Sequence, residues 1–328
     1  RMYGWLLCKA RDLAQLDVAL IYFDIDTERE TEFVEQWQAK DLREHFEAQC
    51  RQFIAWARQE AAHRQERDAA LRALTFAPGE FRVGQRELAE AVYRATSKRR
   101  VLLAQAPTGI VKTAGTIFPA LKALPGQSVD KLFYLAAKTS GRQLALDALR
   151  DLRDQSAAPI RVLEMVARDK ACELPGTACH GDACPLARGF YDRLPEARAD
   201  ALAEPSQLLD QESVRSVALV HGICPYYLSQ ELVRWVDVVV GDYNYFFDFG
   251  GLLHAFTLAN DWRVALLVDE AHNLLERARS MYSAELSQFS LVDARQAATG
   301  LVRKALDRLH RNWNALNREQ ADSYRVYE

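Results

Sequence analysis

The chain has little surplus charge of either sign: 42 Lys and Arg stand against 45 Asp and Glu, a formal net charge of −3 over 328 residues. Any surface for a polyanion is therefore a local patch, not a property of the whole molecule. There is no uncharged apolar run of about 18 residues and no secretory n-region, h-region and cleavage pattern, so a soluble, cytoplasmic chain with no membrane partner is expected. Cysteine is scarce too. There are six, and four of them fall between residues 172 and 224. So few exclude a disulfide framework, and their clustering points to a metal site. Initiating Met is absent ahead of Arg1, which reads as a fragment or a processed form. The length predicts two or three domains at roughly 100 to 200 residues each.

What is present is organised around residues 104–113, AQAPTGIVKT, a small-residue turn between an apolar run at 101–104 and a helix-like stretch from Lys112. A strand that turns sharply into a helix aims backbone N–H groups and the helix dipole at one point, which suits a triphosphate. The candidate cradle is Ala106, Pro107, Thr108, Gly109, Ile110, Val111, Lys112 and Thr113. Lys112 would reach the β- and γ-phosphates of ATP, and Thr113 would ligate Mg²⁺. Two positions depart from G-x-x-x-x-G-K-[ST]: Ala106 replaces the first glycine, and Val111 stands where the second belongs. A β-branched residue resists positive φ, so Val111 should impair the cradle. Taken alone, the segment also fits an ordinary strand-to-helix turn. Some twenty residues earlier, Gln85 is a candidate adenine contact, because an amide offers a paired donor and acceptor.

A partner for this loop lies downstream. Residues 264–268, VALLV, read as a buried strand, and Asp269-Glu270-Ala271-His272 follows its C-terminal end. In nucleotide hydrolases a carboxylate so placed holds Mg²⁺, and the next one orients or deprotonates the attacking water. Asp269, Glu270 and Lys112 are thus catalytic candidates, with His272 coupling the phosphate state to other elements. Further strand runs are expected at 132–136 and 236–240, and the run at 101–104, the helix after Lys112 and the strand at 132–136 give one βαβ unit. Lys138, Thr139 and Arg142 follow the first of these strands and are candidates for nucleic-acid phosphates.

Cys172, Cys179, Cys184 and Cys224 are separated by six, four and thirty-nine residues, each near Pro, Gly or His. Turn-rich surroundings let thiolates converge from loops. Spacing alone leaves tetrahedral zinc and an iron–sulfur cube both open. His180 and His221 are surplus to a four-thiolate set and read as turn or supporting residues. Arg161, Arg168, Lys170, Arg188 and Arg193, with Phe190 and Tyr191, make this segment basic and aromatic, a candidate DNA-facing surface.

Before residue 76 we expect a helix at 3–8, a strand at 18–23 closed by Asp24 and Asp26, and helix from Glu32 to about Leu74. After Asn273 the chain reads as helical, with an amphipathic stretch at 301–313.

Taken in order, FRVGQ, APTGIVKT, LFYLAAKTSGRQ, the four cysteines, VVVGDYNYFFD and LLVDEAHNL resemble the XPD and DinG family of superfamily 2 DNA helicases, over about residues 78–280. The resemblance implies a RecA-like α/β motor domain with a parallel sheet and ATP-driven 5′→3′ translocation on single-stranded DNA. It favours a [4Fe–4S] cluster over zinc on Cys172, Cys179, Cys184 and Cys224. It also divides the chain into 1–75, an N-terminal mostly helical α/β segment; 76–160 with 229–278, the motor; 161–228, the iron–sulfur insertion; and 279–328, the start of a helical arch-like domain. In this family the ATP site is completed by a second motor domain, which the sequence lacks, so a monomer that binds nucleotide weakly and does not unwind DNA alone is expected. Residues 1–30 resemble the end of a RecB-like PD-(D/E)XK nuclease fold, whose acidic site would precede Arg1.

Overall fold

The computed structural model describes residues 1–25, 27–76, 83–106, 112–127, 129–204 and 206–319. The N-terminal segment is helix α1 (Met2–Arg11), strands β1 (Gln15–Asp24) and β2 (Arg29–Gln38), and the long helix α2 (Ala39–Ala73). Helix was expected from Glu32, and here the structure differs. Residues 29–38 pair antiparallel with β1 in unbroken register from Gln15 opposite Gln38 to Asp24 opposite Arg29. Thr31, Phe33, Val34 and Trp37 suit a pleated surface, and the Tyr22 and Phe33 rings meet edge-on at 5.7 Å, so cross-strand pairing overrides the helix propensity of the glutamates. Asp24 closes the strand as expected, its Oδ1 accepting the Thr27 amide at 3.0 Å. Asp26 lies outside the described residues.

A five-stranded sheet follows: β3 (Lys131–Leu135), β4 (Val162–Glu164), β5 (Leu208–Leu209), β6 (Val238–Gly241) and β7 (Val264–Val268), in the order β5-β4-β6-β3-β7. Every neighbouring pair is parallel. Successive side chains alternate between two buried layers, as a sheet covered on both faces requires. Leu132 and Tyr134 point into a core with α3 (Gln85–Ser97), α4 (Lys112–Gln127) and α5 (Thr139–Ser156). Phe133 and Leu135 point into a second core. After the short α6 (Arg168–Ala171) come its helices α7 (Phe190–Ala203), α8 (Gln211–Val220) and α9 (Pro225–Leu232). Residues 161–228 therefore supply β4, β5 and covering helices as well as the cysteines. This is the expected α/β class with a parallel sheet.

Two expectations about this layer need correcting. The apolar run at 101–104 forms no strand; Val101 and Leu103 are 93% and 89% exposed. It pairs with none of the described strands, and without a ladder an apolar run is only extended chain. Helix α4 continues through Pro119 and Pro125 to Gln127, although a Pro-Gly pair such as 125–126 is ordinarily expected to end a helix.

Helix α2 is fastened to the N-terminal ends of the strands by buried charge. Asp237, just ahead of β6, meets His63 Nε2 at 2.9 Å, Arg67 Nη1 at 2.7 Å and the Arg161 amide at 2.9 Å. Burial pushes its carboxyl up, but the His63 hydrogen bond and the Arg67 charge outweigh that and hold it well below the carboxylate range. Arg161 also reaches Glu60 at 2.7 Å, and Lys122 of α4 donates to the terminal carbonyls of α2 at Arg72 and Leu74 (2.6 and 2.7 Å). Beyond β6 the chain runs through α10 (Asn244–Phe247) and α11 (Leu252–Ala259) to β7, then α12 (Leu274–Met281), α13 (Gln288–Ala297) and α14 (Gly300–Glu319).

Candidate nucleotide and cysteine sites

At the C-terminal ends of the strands, opposite the α2 anchor, the loop-derived and strand-derived candidates meet. Helix α4 begins at Lys112, whose Nζ donates to Glu270 Oε1 at 3.1 Å. Asp269 leaves β7 with its amide bonded to the Leu135 carbonyl at 2.9 Å, so the sheet ladder itself fixes where its side chain starts. Glu270 then takes a left-handed conformation (φ 49°, ψ 47°), a placement that costs a non-glycine residue roughly 1–3 kcal/mol. That turn swings its carboxylate back to Lys112. Its carbonyl accepts from the Asn273 amide at 2.9 Å, Asn273 Nδ2 at 3.0 Å and the Tyr243 hydroxyl at 3.0 Å, bonds that offset the strain. His272 Nδ1 lies 3.4 Å from Glu270 Oε2 and is largely exposed.

The two carboxylates are pushed apart in acidity. Burial and the neighbouring Glu270 raise Asp269, while the hydrogen bond and charge of Lys112 lower Glu270. A raised carboxyl beside an oxygen-rich turn is short of positive charge, which a hard cation would supply. Thr113 and Asp269, the candidate Mg²⁺ ligands, both interact with one buried hydroxyl, that of Tyr134, which burial and Asp269 keep protonated. These donors fit Mg²⁺. Tyr243 is fully buried and donates to the carbonyls of both Asp269 and Glu270; burial and the two carboxylates push it up to about 12, so it remains a donor.

Gly141 sits against the same aspartate. A Cβ there would lie 3.0 Å from Asp269 Oδ2 and 3.1 Å from the Ala136 Cβ. Gln85 is 2% exposed, its side chain against Gly115 in the first turns of α4. It lies beside the phosphate-loop helix. Ala106 is half-buried; Pro107, Thr108, Gly109, Ile110 and Val111 lie outside the described residues.

The polar segment after β3 divides. Lys138 and Thr139 are exposed, but Arg142 is 8% exposed, donates to Thr139 Oγ1 at 3.2 Å and faces Asp242 at 3.8 Å. Arg142 thus braces the loop after β6. The basic surface also narrows: Arg161 is buried against Glu60, and Arg193 donates to the Gly189 carbonyl at 3.3 Å and to that of Arg188, leaving Arg168, Lys170, Arg188 and Tyr191 exposed while Phe190 is buried.

Cys172, Cys179, Cys184 and Cys224 line one open pocket with Leu174, Leu186 and Tyr227. Helix ends deliver two of them: Cys172 closes α6, and Cys224 precedes Pro225 at the start of α9. Burial raises Cys224, and Cys172 and Cys184 raise it further, as expected of thiols gathered at one place. Among the described residues no group of three His, Cys, Asp or Glu is arranged to hold a single metal ion. His180 is a turn residue, its carbonyl accepting the Cys184 amide at 2.8 Å, and His221 pairs with Asp200 at 2.7 Å.

Tyr134, Tyr243, Asn273 and Gly141 were not singled out from sequence. The GDYNY loop was visible as an aromatic segment, but a tyrosine inside an apolar strand carries no sign of what its hydroxyl meets.

Comparison with known proteins finds similarity over part of the chain. Residues 144–291 match the DEAD_2 family model. The chain is similar to "Regulator of telomere elongation helicase 1 homolog" of Anopheles gambiae, 26% identical over 191 residues that make up 54% of this chain and 19% of that relative. It is also similar to "ATP-dependent DNA helicase CHL1" of Saccharomyces cerevisiae, 36% identical over 101 residues, 30% of this chain and 11% of the relative. The chain thus spans about a fifth or less of the length of these relatives. A solved structure titled "XPD_Helicase" overlays with a TM-score of 0.48 at 18% identity, covering 71% of this chain and 40% of that one. The match to DEAD_2 includes the cysteines and the DEAH turn. Among the described residues no helix is long and apolar enough to cross a membrane.

Proposed function

We propose that this chain is the nucleotide-binding motor domain of an ATP-dependent DNA helicase of the iron–sulfur type, moving 5′→3′ on single-stranded DNA. The observation that carries the reading is the contact of Lys112, at the start of α4, with Glu270, in the turn after β7, where the Lys112 charge also acts on Asp269. The Lys112–Glu270 pair is 34% and 48% exposed, so it is worth at most about 1 kcal/mol. A triphosphate offers Lys112 several charged oxygens at once, so it displaces Glu270 at little cost. Glu270, freed from the lysine, is then placed to orient a water and accept its proton, with His272 beside it. Thr113 and Asp269 would hold Mg²⁺, which supplies positive charge at the β- and γ-phosphates. Gln85 is assigned to the adenine side, and residues 106–111 to the phosphates.

The four cysteines would hold a [4Fe–4S] cluster, tying three loops together. The shared cavity supports a group that takes all four thiolates, and zinc remains the alternative to be read by metal analysis. Lys138, Thr139, Arg168, Lys170, Arg188 and Tyr191 are the exposed groups offered to the DNA backbone and bases. Residues 1–75 are read as nuclease-like in descent only, and metal-dependent cutting of DNA by this chain would overturn that.

Binding of a fluorescent ATP analogue in the presence of Mg²⁺ tests the motor reading. Lys112→Ala should weaken it at least about tenfold, the worth of a charged hydrogen bond. Equal binding by the variant contradicts the assignment.

A further inference from the structure

We propose that Tyr243 is a positioning residue of the Asp269–Glu270 turn, its hydroxyl fixing the backbone from which both carboxylates start, with Tyr134 packed beside it. The inference rests on the motor reading above and goes beyond it, because neither tyrosine belongs to the phosphate loop or to the DEAH residues.

The geometry comes from two elements that approach the turn from different sides. Tyr243 lies in the loop after β6, is fully buried, and its hydroxyl bridges the consecutive carbonyls of Asp269 and Glu270. Consecutive carbonyls converge on one donor only where the chain bends sharply, and Glu270 makes that bend at φ 49°. Tyr134 comes from β3, the strand hydrogen-bonded to β7, and is 2% exposed. Its hydroxyl is within the electrostatic reach of Asp269, whose strand pairs with its own. Gly141 completes the fit from a third element, since a Cβ there would press on Asp269 Oδ2 at 3.0 Å. The KTSGR segment after β3 thus helps to shape the nucleotide site as well as facing outward at Lys138.

The same loop connects outward. Asp242, adjacent to Tyr243, pairs with Arg277 at 3.0 Å and faces Arg142 at 3.8 Å, while Arg277 also reaches the Ala137 carbonyl at 3.3 Å. Tyr243 is therefore held by groups that follow β3, β6 and β7, at the place where the strands present their C-terminal ends.

The test measures ATP affinity with and without Mg²⁺ for the full chain and for Tyr134→Phe, Tyr243→Phe and Gly141→Ala, with thermal unfolding of each alongside. Loss of the hydroxyl that holds the turn should remove about fivefold of the Mg²⁺ enhancement in Tyr243→Phe. Gly141→Ala, whose added Cβ presses on Asp269 Oδ2, and Tyr134→Phe should act in the same direction, and Mg²⁺-free affinity should stay within about twofold in all three. Lowered melting temperatures with an unchanged Mg²⁺ enhancement overturn the proposal and leave the tyrosines as core residues. A wild-type chain that binds ATP with no Mg²⁺ enhancement overturns it as well. Failure of the wild type to bind ATP at all marks the motor reading as the error, and the inference falls with it.

Discussion

Lys112 and Glu270 pair at 3.1 Å, and the exposure of both makes the contact weak enough to exchange. Asp269 is different: it is half-buried, raised by burial and by Glu270, and placed by the ladder between β7 and β3. Val111 stands where the phosphate-loop pattern asks for glycine, so on the motor reading Val111→Gly should tighten ATP binding by about fivefold, read by titration. Equal affinities would show that the valine is tolerated. The Asp269–Glu270 pair was legible in sequence because acidic residues at the end of an apolar strand have a spacing of their own. The hydroxyls that hold it were not, since Tyr134 sits in LFYL and only the folded register shows that it faces Thr113 and Asp269.

Among the elements, α2 carries an unexpected role. The anchor of Asp237 to His63, Arg67 and the Arg161 amide is buried, and removing the carboxylate charge leaves the buried Arg67 with the part-exposed Asp68 as its remaining charged partner. Asp237→Asn should cost about 3 kcal/mol in urea unfolding. The carboxyl is depressed in the fold, so its contribution is present above the unfolded value of about 3.9 and is lost as pH falls below it. Wild-type stability should therefore drop between about pH 4 and pH 2 with a steeper slope than that of Asp237→Asn; matching slopes would contradict the anchor. Sequence periodicity gave β3, β6, β7 and the start of α4 to within two residues, because buried parallel strands are continuous apolar runs. It failed where pairing decides: residues 29–38 are rich in glutamate yet form β2 against β1, and the run at 101–104 is apolar yet finds no described neighbour. Nothing in a single segment reports its partner.

At the scale of the whole molecule the sheet separates two tasks. Its N-terminal edge is closed by α2 and the Asp237 network, and its C-terminal edge carries Lys112, Thr113, Asp269 and Glu270. Loops from α6 to α9 gather the four cysteines on a third region beside the second core. Their convergence from positions as distant as Cys172 and Cys224 was readable from their turn-rich surroundings, whereas the contribution of the same stretch to the sheet, through β4 and β5, was hidden by strands of three and two residues. Anaerobic purification should give a brown protein with about four irons per chain and broad visible absorbance. Stoichiometric zinc without iron would replace the cluster with a zinc site and leave the motor reading intact.

The most direct measurement is the Mg²⁺–ATP affinity of the wild type, Lys112→Ala and Glu270→Gln, taken side by side by titration calorimetry. If the ion pair marks the nucleotide site, its two partners must act in opposite directions. Lys112→Ala should lose at least about tenfold, and Glu270→Gln, which frees the lysine, should gain about threefold. Parallel losses in stability with ATP affinity unchanged in both variants would show that the pair is only a structural contact, and would contradict the account.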